Sequence, residues 1–221
     1  MKQEREEVKP SASDWVAQLQ RRVVALEKAA VAPEGSGLLE TMAALTTALI
    51  TEPRLAVLLQ RLVEQAVGLI PAADTAMLFL WDAERERLVP EVWYGTDLPL
   101  PRIPLRLGEG VTGTVALRRQ GLLVTDYLHS PYALPVFAEH FGPHAVLAEP
   151  LLHGAQLVGV LVLNNFHRQV PFTPRDQQLL ALLATQAAAA IATARLREAR
   201  QRHLERLRTL THLLQHITAS L

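Results

Sequence analysis

A glycine-rich turn followed by two strand-like segments constrains the fold of this chain more than any other feature. The glycines come directly before apolar residues and predict a tight turn into a short helix over residues 108–117. Further along, apolar runs at residues 145–152 and 156–163 are separated by a short turn, which predicts a β-hairpin. The turn glycines are Gly108, Gly110 and Gly113. This pattern favours an antiparallel sheet combined with helices.

Other segments extend this sheet and cover it. Apolar runs at residues 75–81 and 88–94, on either side of a charged turn, predict a second hairpin. Amphipathic patterns predict helices over residues 38–50 and 53–70, and Thr173 followed by Pro predicts the start of a long helix. The expected fold class is therefore α+β, with a central antiparallel sheet and helices on one face.

The order of these segments resembles that of the GAF domain family. The resemblance rests on the glycine-rich turn, an extended segment at residues 121–126, the hairpin around His153 and the helix start after Phe172, and it covers about residues 38–196. GAF domains are the small-molecule-sensing modules of cyclic-nucleotide phosphodiesterases, adenylyl cyclases, phytochromes and bacterial sensor kinases. The resemblance implies a GAF-type sheet and a regulatory, non-enzymatic role in bacterial signal transduction.

We expect four parts along the chain. Residues 1–12 are polar and predict a disordered leader, and residues 13–36 predict a helix and linker. The GAF domain is expected over residues 37–196, followed at residues 197–221 by a coiled-coil helix that leads to a missing output or second sensory domain, such as a histidine kinase or cyclase. Both terminal helices carry heptad-like apolar seams: Val16, Leu19, Val23, Leu26 and Ala30, then Leu207, Leu210, Leu214, Ile217 and Leu221. These seams predict a parallel homodimer whose signalling helices relay the state of the domain.

Composition excludes several classes of partner and chemistry. The chain has 22 Lys plus Arg and 22 Asp plus Glu, so its net charge gives no reason to expect nucleic-acid binding. It has no cysteine, which excludes disulfides, thiolate metal sites, thiol catalysis and thioether attachment of a cofactor. Two activities of GAF proteins are excluded with it: covalent bilin attachment and cysteine-based reduction of free methionine sulfoxide.

One uncharged stretch, residues 177–194, approaches the length of a membrane span. It is rich in Ala, contains Gln177 and Gln186, and follows a soluble-type N-cap. We therefore expect a buried helix without membrane insertion. The charged N-terminal residues have no apolar segment after them, which does not fit a signal peptide and indicates a cytoplasmic protein.

Catalytic motifs find little support in the sequence. There is no nucleophile elbow or phosphate-binding loop. The spacing of the turn glycines matches a dinucleotide-binding fingerprint, but the βαβ frame and the acidic residue of that motif are missing. The sequence therefore predicts a binding module rather than an enzyme.

GAF domains that bind cyclic nucleotides carry Asn-Lys, then Phe, then Asp-Glu after the last strand, and the Lys and Asp form a structural ion pair. The matching positions are Asn164, Asn165, Phe172, Asp176 and Gln177. Because Asn165 and Gln177 replace the Lys and the Glu, that ion pair cannot form, and cyclic-nucleotide binding is put in doubt. Asn164, Phe172 and Asp176 are expected to serve turn and helix-cap geometry.

The long segment over residues 95–144 is predicted to be a functional lid over the sheet. Aromatic residues, Trp93 and Tyr127 among them, are expected to line a ligand cavity of roughly 300 Å³ or more. The alternative is a structural dimerisation module whose pocket is filled by its own side chains. The candidate ligand-binding residues are Phe79, Trp93, Tyr94, Tyr127, Phe137, His140 and Glu149.

Two of these candidates carry alternatives of their own. His140 lies ten positions before Pro150, which resembles the spacing of the proximal histidine in haem-binding GAF sensors. One hypothesis is therefore that His140 binds haem, without a covalent link, for gas or redox sensing. The other is that His140 is a surface or capping histidine. Glu149 shares a strand face with Leu147 and Leu151, so its carboxylate either is buried beside a donor or reaches solvent at a sheet edge. No spacing in this segment indicates a closed metal site.

Overall fold

The structure, a computed structural model, describes residues 54–96, 102–140, 142–166 and 170–219, with residues 139, 140 and 207–219 described by their backbone alone. The predicted leader and the helices predicted over residues 13–36 and 38–50 lie outside the described residues. In chain order the elements are α1 (Leu55–Leu69), β1 (Thr75–Asp82), β2 (Arg87–Tyr94), α2 (Gly110–Arg118), β3 (Leu122–Val124), α3 (Pro135–His140), β4 (Ala145–His153), β5 (Gln156–Asn165) and α4 (Pro174–Ala219).

The five strands form one antiparallel sheet in the order β2-β1-β5-β4-β3. Both predicted hairpins are confirmed, since β1 pairs with β2 and β4 pairs with β5. In the centre of the sheet β1 pairs with β5, which places Thr75 opposite Asn164 and Phe79 opposite Val160. The α+β class and the antiparallel sheet of a GAF-type fold are thus observed.

The two long helices, α1 and α4, cover one face of this sheet. Leucines of both helices meet alternate residues of the strands in a first core: Leu58, Leu62, Leu78, Leu80, Leu147, Leu161, Leu163, Leu180 and Leu183. Removing one such side chain from water stabilises the fold by about 1.5–3 kcal/mol. Ala187 and Ala188 are fully buried in the same core, and their small size lets α4 approach the sheet closely.

Part of α4, Pro174–Arg206, is long and apolar enough to cross a membrane by length and composition. In the folded domain its apolar residues Leu180, Leu183 and Ile191 are fully buried against the first core. This packing is typical of the core helix that the sequence predicted.

The second face of the sheet is covered as well, which corrects the expectation that helices lie on one face only. Met77 and Phe79 of β1 point away from the long helices and pack in a second core with Val111 of α2. Leu134 and Phe137, in and just before α3, pack against the same core. A strand that is apolar on both faces, like β1, needs a cover on both sides, and the two short helices provide the second cover.

The start of α4 is a capping box, which confirms the predicted N-cap. The N–H and the hydroxyl of Thr173 donate to Asp176 Oδ2 at 2.7 and 2.8 Å, and the Asp176 N–H donates to Thr173 Oγ1 at 3.2 Å. Pro174 takes the first helical position, where no N–H partner is needed. From there α4 runs for 46 residues as one helix; its pairing in a coiled coil stays a prediction.

Near the edge of the domain, α4 is attached to the beginning of α1. The Leu55 N–H donates to Glu198 Oε1 at 3.1 Å, which satisfies one of the donors that a helix start leaves unpaired. Arg195, one turn earlier, is half-buried and is attracted by Glu91 and Asp82. Residues 199–206 are exposed. Helix α4 therefore leaves the body of the domain at Glu198.

Candidate functional site

A small, partly open cavity lies between the second face of the sheet and the segments that cover it. Its volume is ≈ 40 Å³, which is room for a few water molecules. The sheet contributes Met77, Phe79, Val146, Val162 and Asn164, and the cover contributes Thr112, Tyr127, Leu134 and Phe137. The twelve lining residues that the structure describes are all uncharged.

Tyr127 organises the segment that covers the cavity. Its N–H donates to the His144 carbonyl at 2.8 Å, and its own carbonyl accepts the Ser130 hydroxyl at 2.7 Å. Its phenolic oxygen accepts the Leu134 N–H at 3.1 Å, directly before α3. Burial raises the pKa of this phenol, and the hydrogen bond from Leu134 opposes that increase. Tyr127 thus fixes the point from which α3 begins.

The glycine-rich turn brings α2 against this cover. Gly110 has a φ of 62°, and a Cβ at this position would lie 2.8 Å from Leu134 Cδ1. The Thr114 hydroxyl donates to the Gly110 carbonyl at 2.6 Å within the first turn of α2. A side chain at position 110 would therefore be strained and would displace Leu134. The turn serves helix geometry and packing, as the sequence predicted in preference to a dinucleotide-binding role.

Two asparagines hold the end of β5. Asn164 is buried, and its Nδ2 donates to Thr75 Oγ1 at 3.0 Å. Asn165 Nδ2 donates to the carbonyls of Ala72 and Val170 at 2.7 and 2.6 Å. Asn165 therefore fixes backbone at the position where a cyclic-nucleotide motif has Lys. Asn164 has the structural role expected of it and also lines the cavity.

The remaining positions of that motif are structural too. Phe172 is 5% exposed and belongs to the first core. Asp176 caps α4 through Thr173. Gln177 hydrogen-bonds through its side chain to Glu149 on β4. The cap role predicted for Asp176 is observed, whereas Phe172 packs in the core.

Glu149 lies on the face of the sheet that α4 covers, away from the cavity. It is 7% exposed, so the alternative in which its carboxylate reaches solvent is wrong. Burial raises the pKa of Glu149, and the hydrogen bond with Gln177 opposes only part of this increase. The edge of β4 is not exposed, because β3 pairs with it. Gly121, directly before β3, lies so close to Glu149 that a Cβ at position 121 would collide with the carboxylate.

Two other candidates, Trp93 and Tyr94, lie outside the lining. Trp93 is half-buried beside the second core, and the Arg102 guanidinium lies 5.3 Å from its ring centre. Tyr94 is 42% exposed. His140 is the last residue of α3, and its side chain lies outside the described atoms. Of the seven candidates, the structure brings three together around the cavity: Phe79, Tyr127 and Phe137.

The cavity is much smaller than the roughly 300 Å³ predicted for a ligand site, because Leu134 and Phe137 occupy the space beneath the cover. Haem does not fit a cavity of ≈ 40 Å³. Among the described residues, no group of three or more His, Cys, Asp or Glu side chains is placed to hold a metal ion. His129 and His153 are exposed, the former bound to Asp126 at 2.9 Å.

A second, wider cleft lies beside the end of α2. Its volume is ≈ 340 Å³, and its walls include Trp81, Leu117, Arg119 and Leu157. Arg119 crosses this region and donates from Nη1 to the Ala155 carbonyl. None of the six candidate residues whose side chains the structure describes lines this cleft.

The sequence missed several residues of the cavity. Val160, Val162 and Asn164 occupy every second position of β5. Val160 and Val162 belong to the second core, and Val162 and Asn164 line the cavity. The period of two along β5 was a sufficient signal to find them. Leu134 and Thr112 had no comparable signal, because the folding of the cover places them.

A model of the GAF domain family matches residues 52–192. A comparison with curated protein sequences gives no match. Among solved structures, the chain is similar to the GAF domain of a phosphoenolpyruvate-protein phosphotransferase from Coxiella burnetii, with a TM-score of 0.66 and 24% identity over 76% of this chain and 99% of that chain. The GAF domain of the Acinetobacter phosphotransferase gives a TM-score of 0.63 and 22% identity over 73% and 96%.

A free methionine-R-sulfoxide reductase from Neisseria meningitidis, solved in complex with its substrate, is also similar. Its TM-score is 0.63, with 18% identity over 75% of this chain and 95% of that chain. Structural likeness at such identities establishes the fold alone, but the family match spans well over half of the sequence and coincides with the described domain. This chain belongs to the GAF domain family.

Proposed function

We propose that this chain is a regulatory, small-molecule-sensing GAF module of a bacterial signal-transduction protein. The observation that carries the proposal is the cavity with its uncharged described lining. Its cover is attached through the Tyr127 hydroxyl, and its floor is the same sheet that supports α4. A ligand that enlarges this cavity must move the cover or the sheet, because the surrounding side chains are closely packed.

The route from cavity to helix is short. Asn164 lines the cavity at the end of β5, and the next segment leads directly into α4. On the other face, the contact between Glu149 and Gln177 joins β4 to the first turn of α4. A shift of either strand therefore acts on the start of the helix, and the change leaves the domain beyond Glu198.

In a parallel homodimer, a movement of α4 would change the contact between the two copies of this helix. Leu182 and Leu196 of α4 are 49% and 72% exposed, and Ala189 between them is exposed as well. Continued at intervals of seven residues, this series reaches Leu210 and Ile217 of the C-terminal seam. The exposed positions and the seam thus share one helix face, as the interface of a coiled coil requires. We call this face the α4 stripe.

The cellular setting follows from the sequence. The protein is cytoplasmic, is not inserted into a membrane and does not bind nucleic acid. The α4 helices pass the change to an output domain, such as a histidine kinase or cyclase, in a longer chain. Catalysis of the cysteine-dependent kind is excluded, because the chain contains no cysteine.

A structural dimerisation module without a ligand is the second candidate. The volume of ≈ 40 Å³ favours it, because Phe137 and Leu134 already fill most of the space under the cover. Both candidates use the α4 stripe, and they differ in whether a bound molecule changes its geometry.

The test combines ligand detection with a distance measurement. Because the chain has no cysteine, Arg200→Cys gives a single spin-label site just beyond Glu198. We expect saturation-transfer NMR against small aromatic compounds to find a binder that changes the label-to-label distance in the dimer. Phe137→Trp, which fills the cavity, should abolish both binding and the change while the dimer persists. Absence of any binder, or binding with an unchanged distance, would support the structural module.

A further inference from the structure

The lining of the cavity indicates the charge of its ligand. Among the residues that the structure describes, its lining includes no Lys, Arg, His, Asp or Glu, and the polar side chains are Thr112, Tyr127 and Asn164. An ion placed there would lose its hydration without gaining a counter-charge, which is strongly unfavourable. The described lining therefore favours an uncharged ligand.

Tyr127 indicates where the ligand is polar. Its side chain is 5% exposed, and its oxygen accepts the Leu134 N–H at 3.1 Å. Among the residues that the structure describes, the hydrogen of this hydroxyl has no acceptor. Burial raises the pKa of Tyr127, so the phenol stays protonated and remains a donor. A buried donor without a partner destabilises the protein, and a ligand acceptor would remove that cost.

Phe137 indicates the shape of the ligand. This ring of α3 is half-buried, packs against the second core and lines the cavity. Together with Leu134 it reduces the open volume to ≈ 40 Å³, whereas an engineered apolar cavity of about 150 Å³ binds benzene. A molecule with one ring therefore fits in the cavity only if the Phe137 ring moves out of it. The protein thus carries an aromatic side chain in the place that a ring-shaped ligand would take.

We propose that the cavity binds a small uncharged aromatic compound with one hydrogen-bond acceptor, which replaces the Phe137 ring and accepts a hydrogen bond from the Tyr127 hydroxyl. The proposal rests on the sensing function given above and names the chemical class of its ligand. Because the same hydroxyl holds Leu134 at the start of α3, binding at Tyr127 and displacement of Phe137 act on one segment of the cover.

Three probes of similar size test the proposal on the full chain. Acetophenone has the ring and the acceptor, ethylbenzene has the ring alone, and benzoate has the ring with a negative charge. Binding is measured by amide chemical-shift titration. We expect acetophenone to bind roughly five-fold more tightly than ethylbenzene, the ratio that corresponds to one net hydrogen bond, and benzoate to bind more weakly than either. The shifts should centre on Leu134 and Phe137, and not on Leu117 in the second cleft.

Matched variants assign the effect to the named groups. Tyr127→Phe should remove the preference for acetophenone over ethylbenzene. Tyr132→Phe should keep it, because the Tyr132 hydroxyl makes no hydrogen bond within the described residues. Phe137→Ala should tighten binding of acetophenone and ethylbenzene at least ten-fold, since the ring no longer competes, and thermal melting confirms that each variant is folded.

The outcomes separate this inference from the proposed function. Tightest binding of benzoate, or an acceptor preference that survives Tyr127→Phe, would overturn the ligand class while leaving a sensing cavity in place. Shifts centred on Leu117 would overturn the assignment to this cavity. If no probe binds even to folded Phe137→Ala, the aromatic ligand class is overturned, whereas the sensing function fails only if no compound changes the label-to-label distance.

Discussion

Substitution of Leu196 by Glu tests whether the α4 stripe is the interface of a homodimer. Leu196 is 72% exposed in the single chain, so most of its side chain is available for burial by a second copy. Full burial of a leucine contributes about 1.5–3 kcal/mol, and the exposed share corresponds to about 1–2 kcal/mol for each chain. A twofold dimer contains the contact twice, so losing it weakens association by about 2–4 kcal/mol.

This difference is measurable by sedimentation equilibrium. About 1.4 kcal/mol corresponds to a tenfold change in Kd, so we expect the Kd of the Leu196→Glu variant to be at least about 30-fold higher than that of the unchanged chain. Glu is a good helix former, so helical content measured by circular dichroism should be unchanged. The loss should therefore appear in association and not in folding.

Leu117→Glu is the matched control, because Leu117 is 57% exposed but lies on α2, away from the stripe. It receives the same substitution and should leave the Kd unchanged. The reasoning is refuted if the unchanged chain is a monomer at tens of micromolar, or if both variants weaken association equally.

Three further predictions concern the buried carboxyl, the helix cap and haem. Because burial raises the pKa of Glu149, its protonated form stabilises the fold below its ordinary pKa, and this contribution is lost as pH rises through the folded pKa. Glu149→Gln should therefore gain unfolding free energy relative to the unchanged chain as the pH rises above the ordinary pKa of a glutamate, measured by denaturant titration; a pH-independent difference would contradict this. Thr173→Ala removes the hydroxyl that caps α4 and should cost about 1 kcal/mol in the same assay, whereas Thr185→Ala, at an exposed site within α4, should cost less; equal losses would argue against the cap. Mixing with haemin should give no Soret band, and a band that His140→Ala abolishes but His153→Ala preserves would revive the haem hypothesis.

Local patterns were enough to predict most elements of the domain, with α3 the exception. Apolar runs bounded by turns predicted β1, β2, β4 and β5, and the Thr173 capping box predicted the start of α4. These features depend on interactions between residues that are close in sequence, so the sequence is sufficient to predict them. Because β1 is continuously apolar, the sequence also indicated that both faces of this strand are buried. It did not indicate which segment covers the second face.

Contacts distant in sequence decided the site. Glu149 alternates with Leu147 and Leu151 in the sequence, but only the packing of α4 and the approach of Gly121 bury it beside Gln177. The cavity likewise depends on contacts distant in sequence, because residues 127–137 form it by packing across the second face of the sheet. The volume of the cavity is the space between this segment and the sheet minus the volume of the Phe137 and Leu134 side chains, and this difference is small. The sequence determined the family and the strands, whereas long-range packing alone determined which side chains meet and how much space they leave.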